Sequence, residues 1–186
     1  MIILAVIFSV AILESQAIDQ NTLTNTVLSY MKSYQKSSHF EFSSILFAHL
    51  KQQYPNYYFT VDAYAPVSSF PTHTVHGWFV NVFRQYNRNV VVGWALKSSR
   101  IAPDSVIQDV RKKIKDLLYM DINNAERCNQ KVWAVATATG YPVVMVHTCT
   151  EGYCGLRSTY EKNTYFETIS GYKGSRMSVV IVFGSQ

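Results

Sequence analysis

The hydrophobic positions near the front of the chain recur with helical spacing. From Asn21 to Ser37, apolar side chains return every three or four residues, which is typical of an amphipathic helix. A second stretch, Ser43 to Tyr54, has the same spacing, and we expect Ser43 to be its N-cap and Pro55 to end it. The pattern therefore predicts two helices at the front of the domain.

Strand-like patterns follow from Tyr57 onward. Tyr57 to Ala65 is aromatic and β-branched with few helix formers, which predicts a strand. Two more runs of this kind, Gly77 to Phe83 and Val90 to Leu96, flank the Asn-rich segment Tyr86 to Asn89. Because such segments favour tight turns between antiparallel strands, these two runs predict a hairpin.

The second half of the chain begins with a strongly amphipathic segment. From Pro103 to Asn123, apolar residues occupy one side of a helix and basic residues the other. We then predict a second hairpin, in which Thr137 to Pro142 joins strands at Val132 to Ala136 and Val143 to His147. The final run, Met177 to Phe183, is so apolar that it predicts a central, buried strand.

These elements together predict the fold class α+β. We expect a single domain in which two N-terminal helices and a central amphipathic helix pack on a mainly antiparallel sheet of about six strands. A helix followed by a group of strands occurs twice, which would suit an internal duplication. No repeat of residues accompanies that order, so we predict against a duplication.

The first seventeen residues predict a secretory signal peptide. Ile2 to Leu13 is almost entirely apolar, and Ser15 to Ala17 supplies the small residues that signal peptidase requires, although no basic residue precedes the apolar run. That run is shorter than the ~20 residues a membrane-spanning helix needs. We therefore expect residues 18–186 to form a secreted, extracellular domain with no transmembrane segment.

The composition describes a well-packed and mildly basic domain. Only 16% of the residues are charged, against about 25% in an average soluble domain, whereas the chain contains 13 Tyr, 10 Phe and 3 Trp. The net charge is +5. The densest basic cluster, Arg111 to Lys115, falls on the polar side of the predicted central helix, where charges commonly face solvent. We therefore predict no dedicated nucleic-acid site.

Three cysteines are present, and export favours their oxidation. Cys149 and Cys154 enclose a short turn that would bring their sulfurs together, so this pair is one predicted disulfide. Cys128 with Cys149 is the alternative, and it would close a longer loop. The sequence does not choose between these pairings.

The histidines are the candidate catalytic residues. His73 and His76 are too sparsely supported for a metal site, and we predict no metal and no cofactor. His147 and Cys149 would share a strand face, but the predicted disulfide removes the thiolate that a nucleophile requires. His76 and His147, placed across a cleft, would suit phosphodiester hydrolysis with one imidazole as acid and the other as base.

Aromatic residues predicted to lie in loops are the candidate binding residues. Tyr86, Tyr141 and Tyr153, together with Arg88, would be able to stack on sugars or anchor a protein partner. Our leading hypothesis is a secreted protein that binds an extracellular glycan or protein and is not an enzyme. The alternatives are a small secreted hydrolase using His76 and His147, or an enzyme inhibitor that presents a loop. The oligomeric state is not predicted.

Overall fold

The computed structural model describes residues 18–66, 73–77, 79–97, 102–119, 121–122, 124–150, 156–158 and 164–183. The predicted signal peptide lies outside these residues, as do Tyr153, Cys154 and most of the loop after Pro66. The described part of the chain contains four α-helices and eight strands, and no helix in it is both long and apolar enough to span a membrane.

The helices and strands alternate in two groups along the chain. The helices are α1 (Gln20–Ser33), α2 (His39–Gln53), α3 (Asp104–Leu118) and α4 (Ala125–Thr137). The strands are β1 (Tyr57–Tyr64), β2 (His73–Gly77), β3 (Phe79–Gln85), β4 (Arg88–Leu96), β5 (Val143–Thr150), β6 (Arg157–Ser158), β7 (Thr164–Ser170) and β8 (Arg176–Phe183). A single 3-10 turn, Tyr172–Gly174, connects β7 to β8.

The strands form two antiparallel sheets that pack face to face. The first sheet has the order β3-β4-β1-β6 and the second has the order β2-β5-β8-β7. Because successive residues of a strand point to opposite faces, each sheet offers one face to the other sheet and one face to helices. The result is a four-layer arrangement of helices, sheet, sheet and helices.

Each outer layer has its own apolar core. Helices α1 and α2 cover the first sheet through residues such as Leu23, Phe42 and Leu46, which pack on Phe59 and Trp94. Helices α3 and α4 cover the second sheet. Their buried side chains pack on strands β5, β7 and β8, and the main residues of that core are Val110, Ile114, Leu118, Val132, Val146, Val179 and Ile181.

The two halves of the chain repeat in topology. Each contains two helices followed by four strands, and the two sheet orders correspond strand for strand. Each half also gives its short second strand to the other half's sheet, since β2 pairs with β5 and β6 pairs with β1. The duplication that we predicted against is thus present as a repeated arrangement of elements, although the residues themselves do not repeat.

Several predicted elements are confirmed. The first strand and the final apolar strand lie where the sequence placed them, and β8 is central between β5 and β7. The predicted hairpin is β3–β4, and its two-residue turn places Tyr86 and Asn87 at φ 51° and 53°. Positive φ at both positions is the geometry of the tight turn that matches strand twist. The fold is mixed helix and antiparallel sheet, but eight described strands form two sheets rather than about six in one.

The predicted hairpin around Thr137 to Pro142 is wrong. Val132 to Ala136 lies in helix α4, whose apolar residues Cys128, Val132 and Ala136 recur every four residues and are all buried. The side chain of Asn124 caps the helix by accepting a hydrogen bond of 3.0 Å from the Arg127 N–H. Packing of this stripe on the second sheet outweighs the strand preference of Val132 and its neighbours.

The predicted cap of the second helix is also wrong. Helix α2 begins four residues earlier, at His39, and the Ser38 hydroxyl accepts a 3.1 Å hydrogen bond from the Glu41 N–H. Ser followed three residues later by Glu is the pattern of a capping box. Ser43 is instead buried inside the helix, where its hydroxyl donates to the His39 carbonyl at 2.9 Å.

Candidate functional site

A buried pair of ionisable residues lies between the two sheets. Asp62 on β1 and His147 on β5 are both 0% exposed, and His147 Nε2 lies 3.4 Å from Asp62 Oδ2. A histidine oriented by a carboxylate is a common part of hydrolytic sites, where the imidazole also reaches the substrate. The pair has the chemistry of such a site but is closed to solvent.

The described residues beside this pair are tightly packed. The Thr60 hydroxyl lies 3.0 Å from the sulfur of Met145, again joining β1 to β5. Gly93 is paired with Thr60 on the neighbouring strand, and a Cβ at Gly93 would lie only 2.6 Å from the Met145 sulfur and 2.8 Å from Thr60 Oγ1. The absence of a side chain at Gly93 therefore allows Met145 to pack against Thr60.

The two histidines proposed as a catalytic pair do not share a register position. Strand β2 pairs with β5 so that Val75 is opposite His147 and His76 is opposite Val146. Val146 belongs to the core beneath α3 and α4, whereas His147 is buried at the face between the two sheets. The pairing places the two histidines on adjacent strands, and their joint catalytic role stays a prediction.

Arg88 is a buried structural residue. It is 5% exposed, its guanidinium lies 4.4 Å from the centre of the Phe42 ring, and it donates hydrogen bonds to the carbonyls of Tyr34 at 3.3 Å and Ser37 at 2.5 Å. Burial lowers its pKa. Arg88 thus holds the loop between α1 and α2 against β4, and its role in binding a ligand stays a prediction.

The surroundings of Arg88 also lower the pKa of a nearby histidine, His39. Burial lowers the pKa of His39, and the positive charge of Arg88 lowers it further while Asp62 partly opposes the change. His39 is the first residue of α2. Neutral His39 is therefore the favoured form beside the buried guanidinium.

The candidate binding tyrosines that the structure describes differ in how much of each is exposed. Tyr86 is 43% exposed in the β3–β4 turn, whereas Tyr141 is half-buried and packs against the core of α3 and α4. Tyr153 lies outside the described residues. Only Tyr86 among these three is therefore seen at the surface of the described part of the chain.

The cysteines differ in environment. Cys128 is a buried thiol whose sulfur donates to the Asp121 carbonyl at 3.1 Å, and burial raises its pKa to about 12. Cys149 is disulfide-bonded, so the alternative pairing of Cys128 with Cys149 is not formed. Because Cys154 lies outside the described residues, its bond to Cys149 stays a prediction.

A surface groove lies between the end of α3 and strand β7. Its volume is about 590 Å³, and it is lined by Lys115, Asp116 and Tyr119 on the helix and by Thr168, Ile169 and Ser170 on the strand. Tyr119 is 48% exposed. The groove thus combines an aromatic ring, two hydroxyls, a carboxylate and an ammonium group in one open cleft.

Glu167 fixes the geometry of this groove. Its carboxylate lies 2.7 Å from Lys115 Nζ and 3.2 Å from Arg111 Nε, and the Tyr165 hydroxyl donates a short hydrogen bond to it. Burial alone would raise the pKa of Glu167, but these hydrogen bonds and the two positive charges outweigh burial and lower it. Glu167 therefore ties α3 to β7 and pairs with two of the four basic residues in the cluster predicted on that helix.

Sequence reasoning missed both the buried pair and the groove. The sequence does contain a signal for the buried pair, because Asp62 is the only acidic residue of strand β1, whose other residues are aromatic, apolar or hydroxyl-bearing. The groove combines residues about fifty positions apart, and no local pattern joins them. In the described part of the chain, no group of three or more His, Cys, Asp or Glu residues is arranged to hold a metal ion.

Comparison with known proteins does not assign this chain to a family. No family model matches the chain, and no curated protein and no solved structure shows significant similarity to it.

Proposed function

We propose that this chain is a secreted binding protein whose ligand occupies the groove between α3 and β7. The observation that carries the proposal is the groove itself, which is lined by the exposed Tyr119 from the helix side and by Thr168 and Ser170 from strand β7. Its volume of about 590 Å³ lies within the range of ligand sites, and mixed aromatic and polar linings are typical of them. An extracellular glycan or protein is the ligand class that we propose.

The buried residues support binding over hydrolysis. A catalytic acid and base must be within hydrogen-bond reach of the substrate, directly or through one water. The Asp62–His147 pair is 0% exposed on both sides, and the neighbouring Thr60–Met145 contact fills the adjacent space. The burial of His147 is the observation that favours binding over the hydrolase alternative.

The binding proposal is tested by screening the secreted protein against a glycan array and a displayed library of random linear peptides. We expect ligands from at least one screen, and we expect Tyr119→Ala to weaken them about tenfold or more, as for an aromatic residue at the centre of an interface. Tyr34→Ala is the matched control, since Tyr34 is 38% exposed and lies far along the chain at the end of α1.

Two results would contradict this assignment. Failure to select any ligand in both screens would remove the binding function itself. Ligands that are lost with Tyr86→Ala but retained with Tyr119→Ala would move the site to the β3–β4 turn, where sequence analysis placed a candidate.

The export component has its own test. When the full chain is expressed in secretory cells, we expect protein in the medium with Ile18 near its new N-terminus, because the predicted cleavage follows Ala17. N-terminal sequencing reads this directly. Retention inside the cell with Met1 still present would contradict it.

A further inference from the structure

We infer that the ligand of the α3–β7 groove is an extended peptide that adds to the second sheet as a further strand beside β7. The inference rests on the proposed binding function and specifies the partner. Among the described residues, β7 pairs with β8 alone and lies at the end of the sheet order β2-β5-β8-β7. An edge strand directs the N–H and C=O groups of alternate residues away from its neighbour, where another strand is able to pair with them.

The position of the groove relative to this edge is the central observation. Thr168, Ile169 and Ser170 are consecutive residues of one strand, and all three line the groove. Because consecutive strand residues point to opposite faces, a cleft on either face of the sheet would contact only alternate residues. The groove therefore runs along the edge of β7 that no other described strand pairs with, where an added strand would lie.

Strand β7 has the form that strand addition needs. Its pairing with β8 continues without a register shift from Thr164 to Ser170, and the strand contains no proline. Proteins commonly protect exposed edges with charges, prolines or bulges. The charged residue of β7, Glu167, forms ion pairs with Lys115 and Arg111 of α3. Its charge therefore does not prevent another strand from pairing with the edge of β7.

Helix α3 forms the second wall of the groove, and we expect its side chains to determine which peptide side chains bind there. An extended polypeptide repeats its backbone donors and acceptors with the period of a strand, and pockets beside an edge strand then select alternate side chains. Lys115 is paired with Glu167, whereas Asp116 adds a carboxylate to the groove. We therefore expect bound peptides to carry Lys or Arg near Asp116 and an apolar or aromatic residue against Tyr119.

The backbone of the peptide provides the first test. A peptide selected from the linear library is synthesised with single N-methyl groups at each position, which remove one backbone donor at a time. We expect affinity to fall about tenfold or more at alternate positions and little at the positions between them, because only every second N–H pairs with β7. A profile without this two-residue period overturns the inference.

Hydrogen exchange of the protein provides the second test. On saturation with the same peptide, alternate amides from Glu167 to Ser170 should exchange about tenfold or more slowly, while the amides of strand β3, the edge of the other sheet, should not change. Binding without slower exchange in β7 overturns the inference.

Specificity and rival occupants are separated by two further measurements. Asp116→Lys should weaken a Lys- or Arg-bearing peptide about tenfold, whereas Tyr34→Ala should leave its affinity unchanged. Selection of glycans alone, with loss of binding in Tyr119→Ala, overturns strand addition but leaves the binding function standing. Protection of β7 that depends on protein concentration without peptide assigns the edge to a second copy of the chain and overturns the inference.

Discussion

His147 Nε2 lies 3.4 Å from Asp62 Oδ2, and the two residues belong to different sheets. This contact joins β1 to β5 in the middle of the molecule, where the remaining neighbours between the sheets are largely apolar. Desolvating a polar pair in such a place costs free energy, and we expect the pair to favour one relative position of the two sheets. Its energetic role is therefore measurable by removing one partner or both.

We expect His147→Leu to lower the free energy of unfolding by about 3–5 kcal/mol, because Asp62 would then be buried without the imidazole. Asp62→Val should also destabilise the protein. The double variant should lose clearly less than the sum of the two single losses, and it will approach the wild type if the pair contributes only specificity. Chemical denaturation of all four proteins measures the coupling, and additive losses would show that the two side chains do not interact.

Gly93 makes the close approach of the two sheets possible. We expect Gly93→Ala to lower the free energy of unfolding by about 1–3 kcal/mol, since its Cβ would overlap the Met145 sulfur and the Thr60 hydroxyl. In a Met145→Ala background the same change should cost much less, because the cavity receives the methyl group. Denaturation midpoints measure both effects, and an equal cost in the two backgrounds would contradict this explanation.

A second glycine gives the control for backbone effects. Gly140 has φ +77° and open space around its Cβ position. Gly140→Ala should therefore cost only about 1 kcal/mol from conformational strain, with no dependence on Met145. A dependence on Met145 at this position would point to a general loss of packing instead of a local overlap.

Acid should weaken the link between α3 and β7. The pKa of Glu167 in the folded protein lies below its ordinary value of 4.5, so its carboxylate stabilises the fold above that value. This contribution is lost as the pH falls through the lowered pKa. We expect Glu167→Gln to cost about 1–2 kcal/mol near pH 7 and progressively less below pH 4.5.

The comparison requires unfolding free energies of wild type and Glu167→Gln from pH 7 to pH 3. Glu126→Gln is a suitable control, because it removes a surface carboxylate from the first turn of α4 without touching the groove. A wild-type advantage over Glu167→Gln that stays constant down to pH 3 would disagree with a lowered pKa.

The thiol of Cys128 should be unreactive in the native protein. Its pKa is raised to about 12 and its sulfur is buried, so the reactive thiolate is scarce and inaccessible near neutral pH. A thiol reagent should therefore label the native chain very slowly and should label one thiol per chain after unfolding without reductant. Three reactive thiols after unfolding would exclude the predicted Cys149–Cys154 disulfide, and rapid native labelling would contradict the burial of Cys128.

Local patterns predicted the elements that depend on nearby residues. The turn at Tyr86 and Asn87, the aromatic strand β1 and the apolar strand β8 each follow from a short stretch of sequence. Helix α4 was mistaken for a strand because Val132 and Trp133 favour strands locally, and only their packing against the second sheet selects the helix.

The groove could not be predicted for a different reason. Tyr119 and Thr168 line one groove because α3 packs on the second sheet beside its edge strand, where Glu167 pairs with Lys115. The position of that edge depends on the order of four strands, one of which, β2, comes from the first half of the chain. The spacing of residues along the sequence does not predict such an arrangement.

The exchange of β2 and β6 between the halves has a consequence for how the chain matures. When the first half leaves the ribosome, its sheet still lacks β6, and β2 has no β5 to pair with until residue 150 has been made. Neither half is able to complete its sheet alone, so the molecule should fold as one cooperative unit late in synthesis. A chain interrupted near residue 100 would then leave strand β2 without the partner that it needs, β5.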